Sequence, residues 1–167
     1  MPNFFDRYIN LVDEESDLIT ALTQTADFTA LISADILDAL GDQVYAPGKW
    51  TIRDQVQHLT DTERIMAYRA LRFARADATP LPGFDQDLFV DAAHATRRPL
   101  TELLTEYTLV RQTNIMLFRS FDDEMLLRTG IGSGLTLSPL ALGFMVVGHA
   151  LHHVNIIRER YLPLLSQ

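Results

Sequence analysis

The chain has 167 residues and no cysteine, carries a formal net charge of −8 and has a sequence pI near 4.9. A single domain of this length buries roughly 70% of the surface its unfolded chain exposes, so no staple is needed for folding. The missing thiols exclude disulfides, thiolate catalysis by the protein and any zinc site built with cysteine. Metal ligands are therefore restricted to His, Asp and Glu, and the acidic balance excludes nucleic acid as an expected partner, since phosphate-backbone binding is driven by Lys and Arg displacing counterions.

The opening segment "MPNFFDRYINLVDEESD" has no basic stretch followed by an apolar one and no small-residue cleavage site. The apolar stretches fall short of the ~20 residues that span a bilayer, so a soluble cytoplasmic protein with no membrane partner is expected. A first helix is predicted to start between 13 and 16 and to run through "DLITALTQTADFTALI", with Leu18, Leu22, Phe28 and Ile32 on one stripe. It should end before "LGDQVYAPGKW". The second starts at "TIRD", where the Thr51 hydroxyl caps an early backbone N–H and Asp54 sits near the positive helix end, and continues to about Ala76. "TPLPGFDQD" is too rich in Pro and Gly for regular structure, and "QDLFVDAAH" reads as a short helix over one end of the bundle. A third helix spans about 99 to 120, with Leu100, Leu103, Leu104, Tyr107, Val110, Ile115, Leu117 and Phe118 on a wide apolar face, its end marked by Asp122 and Asp123. "GIGSGLTL" holds three of the eight glycines and reads as a small hairpin or an irregular loop. Ser138 caps the last helix, Pro139 takes its first position, and the helix should reach Tyr161 before Pro163. The expectation is an all-α chain, a four-helix bundle closed in up-down fashion or with one crossover, forming a single domain over 1–167. Short extra helices and a glycine-rich loop before the last helix complete it.

Three of the five histidines lie in "GHALHHVNIIRERYL". Helical spacing puts His149 and His153 one turn apart in the apolar row of Leu142, Met145, Val146, Ile156 and Ile157, whereas His152 shares the polar row of Gly148, Asn155 and Glu159. A lone core histidine ordinarily just hydrogen-bonds a neighbour. Two stacked imidazoles leave four ring nitrogens to satisfy, and a shared metal uses two lone pairs at once. His58 falls on the shoulder of the second helix's stripe, from which it can reach a neighbouring helix; His94 follows the short helix and is expected on the surface. Glu63 projects into the stripe between Val56 and Met66. Its open readings are a hydrogen-bond acceptor behind a ligand, a fourth ligand, a proton-transfer group, or a buried salt bridge to an arginine of another helix. The run "HALHH" is not H-E-x-x-H, no Glu-x-x-His occurs, and there is no phosphate loop, dinucleotide fingerprint or nucleophile elbow.

With "APGKWTIRDQVQHLTDTERIMAYRALRFARADATPLPGFDQD" and "GHALHHVNIIRERYL" both in view, the chain resembles the DinB-like (YfiT-like) superfamily of metal-dependent four-helix bundles, over nearly its whole length from about Asp13. That family places one metal-binding histidine early in its second helix, in a W-[ST]-x-x-[DE]-x-x-x-H-[LIV]-x-[DE] context, and two more as H-x-x-x-H in the last. The resemblance implies His58, in "WTIRDQVQHLTD", as the third ligand beside His149 and His153. Members include thiol-cofactor S-transferases and mycothiol-dependent isomerases.

Three neutral imidazoles leave a divalent ion with open positions, which lowers the pKa of a bound water to about 7 or holds a thiol as its thiolate. An all-imidazole site suits zinc, nickel, iron(II) and copper alike; zinc or nickel is expected first, with iron or manganese after them. The leading expectation is a transferase in which the ion activates a low-molecular-weight thiol against an electrophilic small molecule, with Glu63 or Asp61 as proton shuttle. A hydrolase using bound hydroxide and a non-catalytic, metal-binding stress-response module are the alternatives. The strip Arg64, Arg69, Arg72 and Arg75 either recognises the carboxylates of an anionic thiol, with Arg69 and Arg72 as the contacts, or is a solvated face pairing with acids. Phe4, Phe5, Phe84 and Phe89, lying beyond the four-helix core, predict a homodimer.

Overall fold

The computed structural model describes residues 6–166. In chain order the helices are α1 (Asp6–Ile9), α2 (Leu18–Gln24), α3 (Phe28–Leu31), α4 (Ala34–Leu40), α5 (Ile52–Ala74), α6 (Gln86–Ala93), α7 (Leu100–Arg119), α8 (Asp123–Leu127) and α9 (Pro139–Ile156); strands β1 (Gly130–Gly132) and β2 (Leu135–Leu137) form one hairpin before α9. The second helix starts where "TIRD" places it: the Asp54 N–H donates to Thr51 Oγ1 at 3.2 Å and the Thr51 N–H donates to Asp54 Oδ2 at 3.0 Å. The Ser138 hydroxyl accepts from the Ala141 N–H at 3.2 Å and opens α9. Beyond Ile156 the run finishes through a π turn (Ile157–Tyr161) and a 3-10 turn (Leu162–Ser166), because Pro163 cannot donate to a continuing α-ladder.

The expected first helix is not continuous. The Thr25 hydroxyl bonds back to the Ala21 carbonyl at 3.0 Å and closes α2, while Asp27 and Ser33 accept from the Thr29 and Ile36 N–H groups at 2.8 and 3.4 Å and start α3 and α4. Leu18, Leu22, Phe28 and Ile32 are all buried nonetheless, so the apolar stripe outlives the break in the helix. Asp122 does not merely end α7: its carboxylate accepts from the Met125 N–H at 2.7 Å and starts α8.

The four helices that carry the core are α2, α5, α7 and α9. Both α5 and α2 pack against α7 and α9, so the order round the bundle is α2, α7, α5, α9. Helices consecutive in the chain therefore sit diagonally at two of the connections, residues 25–51 and 120–138, where up-down closure or one crossover was expected. The core forms two apolar clusters, one around Leu22, Met66, Phe73, Phe118 and Leu142, the other around Phe28, Val56, Leu103, Tyr107 and Val154. Glu63, Arg111, Asn114 and His149 lie between them along α5, α7 and α9, all buried. By length and composition Pro139–Ser166 could cross a membrane, but 61% of its most apolar window is buried in the protein, where Leu142, Val146 and Val154 supply the bundle core.

The hairpin turns at Ser133 and Gly134, both with positive φ (53° and 76°), the left-handed pair that a two-residue turn requires. Leu81 joins its edge, donating to the Ile131 carbonyl at 2.8 Å, so the 75–85 loop and the hairpin are one unit lying against α5. Phe84 packs on the first cluster and against Phe89, ring centroids 5.0 Å apart, while Leu88 and Phe89 remain exposed. Phe4 and Phe5 lie outside the described residues.

Candidate metal centre

Packing of α5 against α9 brings His58, His149 and His153 together. The Nε2 atoms of His58 and His149 are 3.1 Å apart, and one nitrogen from each of the three rings lies within 4.8 Å of the other two. All three side chains are buried, at 5, 6 and 5% exposure. Two ligands at ~2.0–2.1 Å in tetrahedral array stand about 3.3 Å apart, so the closest pair is already near ligand spacing. His152 is half-buried rather than on the open surface, its ring edge-on to Tyr8 at 5.2 Å. His94 is exposed, as expected.

Further residues support the cluster, and sequence reasoning gave none of them a part in it, although Trp50 opens the family context in which His58 lies. Gln55, one turn before His58 on the same face of α5, stands with its Oε1 3.0 Å from His153 Nδ1; a proton on Nδ1 leaves Nε2 as the lone-pair nitrogen. The Trp50 indole lies 4.7 Å from the His58 ring and parallel to His153 at 6.3 Å, and the Tyr161 hydroxyl holds its backbone by donating to the Trp50 carbonyl. Tyr8 meets His149 edge-on at 5.1 Å. Gly148 allows that contact: a Cβ there would lie 1.9 Å from the Tyr8 carbonyl oxygen, so only glycine lets α1 reach α9 at this level. The signal for Gln55 was its i−3 spacing from His58. Tyr8 gave none, because only the fold brings it near.

Burial pushes the His58 pKa down to about 4. His149 and His153 are driven well below the usual histidine value by burial, and further by the facing imidazoles. Neutral rings are the form that binds metal, so the donor set, its spacing and its tautomer control fit a divalent ion. They also fix a sign. The unfolded His58 takes up a proton as pH falls through about 6.5 whereas the folded one does not until about 4, so its contribution is full above 6.5 and is lost progressively towards 4, by on the order of 3 kcal/mol. Metal-free protein should accordingly show a lower urea midpoint at pH 5 than at pH 7.5, and equal midpoints would mean that these imidazoles are not buried as neutral groups.

The structure does not bring Glu63 or Asp61 to the histidines. Glu63 faces α7, where its carboxylate accepts from Arg111 Nε at 2.6 Å and Asn114 Nδ2 at 3.3 Å, the buried salt bridge among its expected readings. Asp61 accepts from Gln57 at 2.9 Å, and burial raises its pKa. The arginine strip divides. Arg64 pairs with Glu106 at 2.7 Å, Arg72 with Asp77 and Tyr68, and Arg75 reaches the Met125 sulfur at 3.6 Å. Arg69 alone of the four turns inward, to 2% exposure, donating to the Pro82 carbonyl at 2.7 Å and the Ser133 hydroxyl at 2.9 Å.

Two cavities meet at the histidines. One, of about 800 Å3, is bordered by all three rings together with Trp50, Gln55 and Tyr161; the other, of about 490 Å3, is bordered by His58, His149, Thr62, Met66, Arg69 and Met145. The centre is thus buried in protein yet reached from two sides.

A family model described as the DinB superfamily matches residues 21–157. Among solved structures, YfiT from Bacillus subtilis, described as a probable metal-dependent hydrolase with an unusual four-helix bundle topology, is similar over 98% of this chain and 89% of its own, with a TM-score of 0.73 and 16% identity. That likeness establishes the four-helix fold. No curated protein matches the sequence.

Proposed function

The chain belongs to the DinB superfamily, and on that premise we propose that it is a divalent-metal-dependent hydrolase of a small-molecule substrate, with His58, His149 and His153 as the ligands. The observation that carries this reading is the convergence of three buried imidazoles at the junction of two cavities. A structural site closes its ion with four protein ligands; three leave room for water and substrate, and the cavities give access. The description of YfiT as a probable metal-dependent hydrolase supports the same class. When bound, the ion would lower the pKa of a water towards about 7 and polarise a carbonyl or similar group, zinc or nickel being suited to the all-imidazole set.

The chain's own groups have definite tasks. Gln55 fixes the His153 tautomer, Trp50 and Tyr8 wall the rings on either side, and burial keeps protons off the ligand nitrogens. No proton transfer is given to Glu63, whose carboxylate is engaged by Arg111. The whole chain, 1–167, acts as one domain in this reading.

One observation favours a second reading, transfer of a low-molecular-weight thiol: two separate cavities open on the same histidines, room for a thiol on one side and an electrophile on the other. Metal analysis of protein purified without an affinity tag should find close to one divalent ion per chain. The loaded protein is then offered an ester and amide panel, and separately bacterial thiols with soft electrophiles. Hydrolysis that disappears on chelation is the expected result. Thiol conjugation without hydrolysis would replace the hydrolase with the transferase, and silence in both panels with the site full would leave a non-catalytic metal-binding module.

A further inference from the structure

The cavity of about 490 Å3 is bordered by His58 and His149 and has Arg69 three turns further along α5. Arg69 is 2% exposed, and among the described residues no carboxylate pairs with it. Asp85 borders the same cavity, but its carboxylate accepts from the Asp87 and Leu88 N–H groups at 2.9 and 3.1 Å and caps α6. Taking a guanidinium out of water without an acid is costly. Its Nη2 serves Pro82 and Ser133, its Nη1 meets only the Met66 sulfur at 3.5 Å, and its Nε makes no hydrogen bond among the described residues. A second group in the same wall is unsatisfied: Thr62 Oγ1 is buried with no hydrogen-bond partner among the described residues, one turn beyond His58 and two turns before Arg69 on the same face of α5.

We infer that this cavity is a subsite for the far end of the substrate and that it takes a carboxylate, bound by Arg69, with Thr62 hydrogen-bonding the same ligand and Met66, Leu135 and Met145 covering a short apolar chain. An apolar pocket with a few convergent polar groups is the usual form of a small-molecule site, and a lone guanidinium whose remaining N–H groups, on Nε and Nη1, diverge and so offer an oxygen one charge-assisted hydrogen bond at a time matches a singly charged carboxylate better than a phosphate dianion. The Cα atoms of His58 and Arg69 are about 16 Å apart along the helix, and the Arg69 side chain leans back towards the histidines, so the ligand is a chain of several carbons with its reactive group at the histidines. Only that last assignment rests on the proposed function.

The test uses metal-free protein and calorimetric titration with hexanoate, octanoate and decanoate, with octanamide as the neutral counterpart and inorganic phosphate as the competing anion. Octanoate should bind roughly tenfold or more tightly than octanamide, the worth of one hydrogen bond to a charged group, and phosphate should not bind measurably. Arg69→Met should erase the preference for the carboxylate while its urea midpoint equals or exceeds that of the unaltered protein, because an unpaired buried charge has gone. Thr62→Val should weaken octanoate several-fold with no loss of midpoint. Equal binding of octanoate and octanamide overturns the inference, as does phosphate binding like octanoate. So does an Arg69→Met protein that is less stable or unfolded while Thr62→Val binds octanoate unchanged, since Arg69 would then merely tie the hairpin to the 75–85 loop. Hydrolysis plays no part in these titrations, so either reading can fail without the other.

Discussion

His149→Ala should abolish both metal binding and turnover while the bundle stays folded. The His149 ring is central to the arrangement: its Nε2 is 3.1 Å from that of His58, its centroid 4.8 Å from that of His153, and Tyr8 packs on its edge. Loss of an outer hydrogen-bond partner alone costs a metal site about 10–100-fold in affinity, and loss of one of three ligands should cost more. Gln55→Leu supplies the milder comparison, expected within that 10–100-fold range because it frees the His153 tautomer without removing a ligand. His152→Ala should leave stoichiometry near that of the unaltered protein, since that ring stands on the Tyr8 side of the row. Equilibrium dialysis with zinc, read beside far-UV circular dichroism, separates a lost ligand from a lost fold. A His149→Ala protein that still takes up a full equivalent would remove the three-histidine centre from consideration.

Different physical signals decided which of these features the sequence could reveal. The capping box at Thr51 and Asp54 and the Ser-Pro start of α9 are local and appear as read, because capping acts over a few residues. The apolar stripe of α7 appears in Leu100, Leu103, Leu104, Tyr107, Ile115 and Phe118, whereas Val110 and Leu117 are half-buried and Arg111 and Asn114 share the buried face. The His149–His153 pair is local in the same sense. His58 was different: helical projection left it on a shoulder, and the resemblance to a family motif, not spacing, pointed it at the last helix. The break of the first helix at Asp27 was also local, but its apolar stripe ran across the cap and masked it. Non-local facts were not legible. The diagonal order of the bundle, the fit of Tyr8 against Gly148 and the separation of Arg69 from its neighbours on the strip depend on which surfaces α1, α2, α7, the hairpin and the 75–85 loop present to α5 and α9, and one sequence alone does not state that. Glu63 shows the boundary best. Its place in an apolar stripe marked it as a group needing a partner, and only the packing of α7 supplied Arg111 in place of a histidine.

That pairing carries the largest expected effect on stability. Glu63 and Arg111 are 3% and 0% exposed and meet at 2.6 Å; the rest of the guanidinium is taken up by the Thr25 hydroxyl, by the Tyr107 hydroxyl at 3.1 Å and by the Leu22 and Thr25 carbonyls at 3.4 Å. Glu63→Ala would strand a charge that cannot be shed by deprotonation, at a place between two apolar clusters where water does not reach. Breaking a buried pair from one side costs about 3–5 kcal/mol, a large part of the roughly 5–15 kcal/mol that holds a domain folded. Removing both charges is a different matter, because desolvation of the pair is then no longer opposed. Glu63→Leu with Arg111→Met should regain most of the loss, so the two single substitutions will be strongly non-additive. Urea unfolding of the metal-free proteins measures this, with an unchanged slope as the check that the unfolded state is the same. The outcome also bears on chemistry. If Glu63→Ala costs less than about 1 kcal/mol and yet removes hydrolysis with the metal still bound, the carboxylate is a proton-transfer group after all and the Arg111 contact is incidental; a stability loss of the expected size, with zinc stoichiometry unchanged in whatever fraction stays folded, places Glu63 in the scaffold that sets α5 against α7.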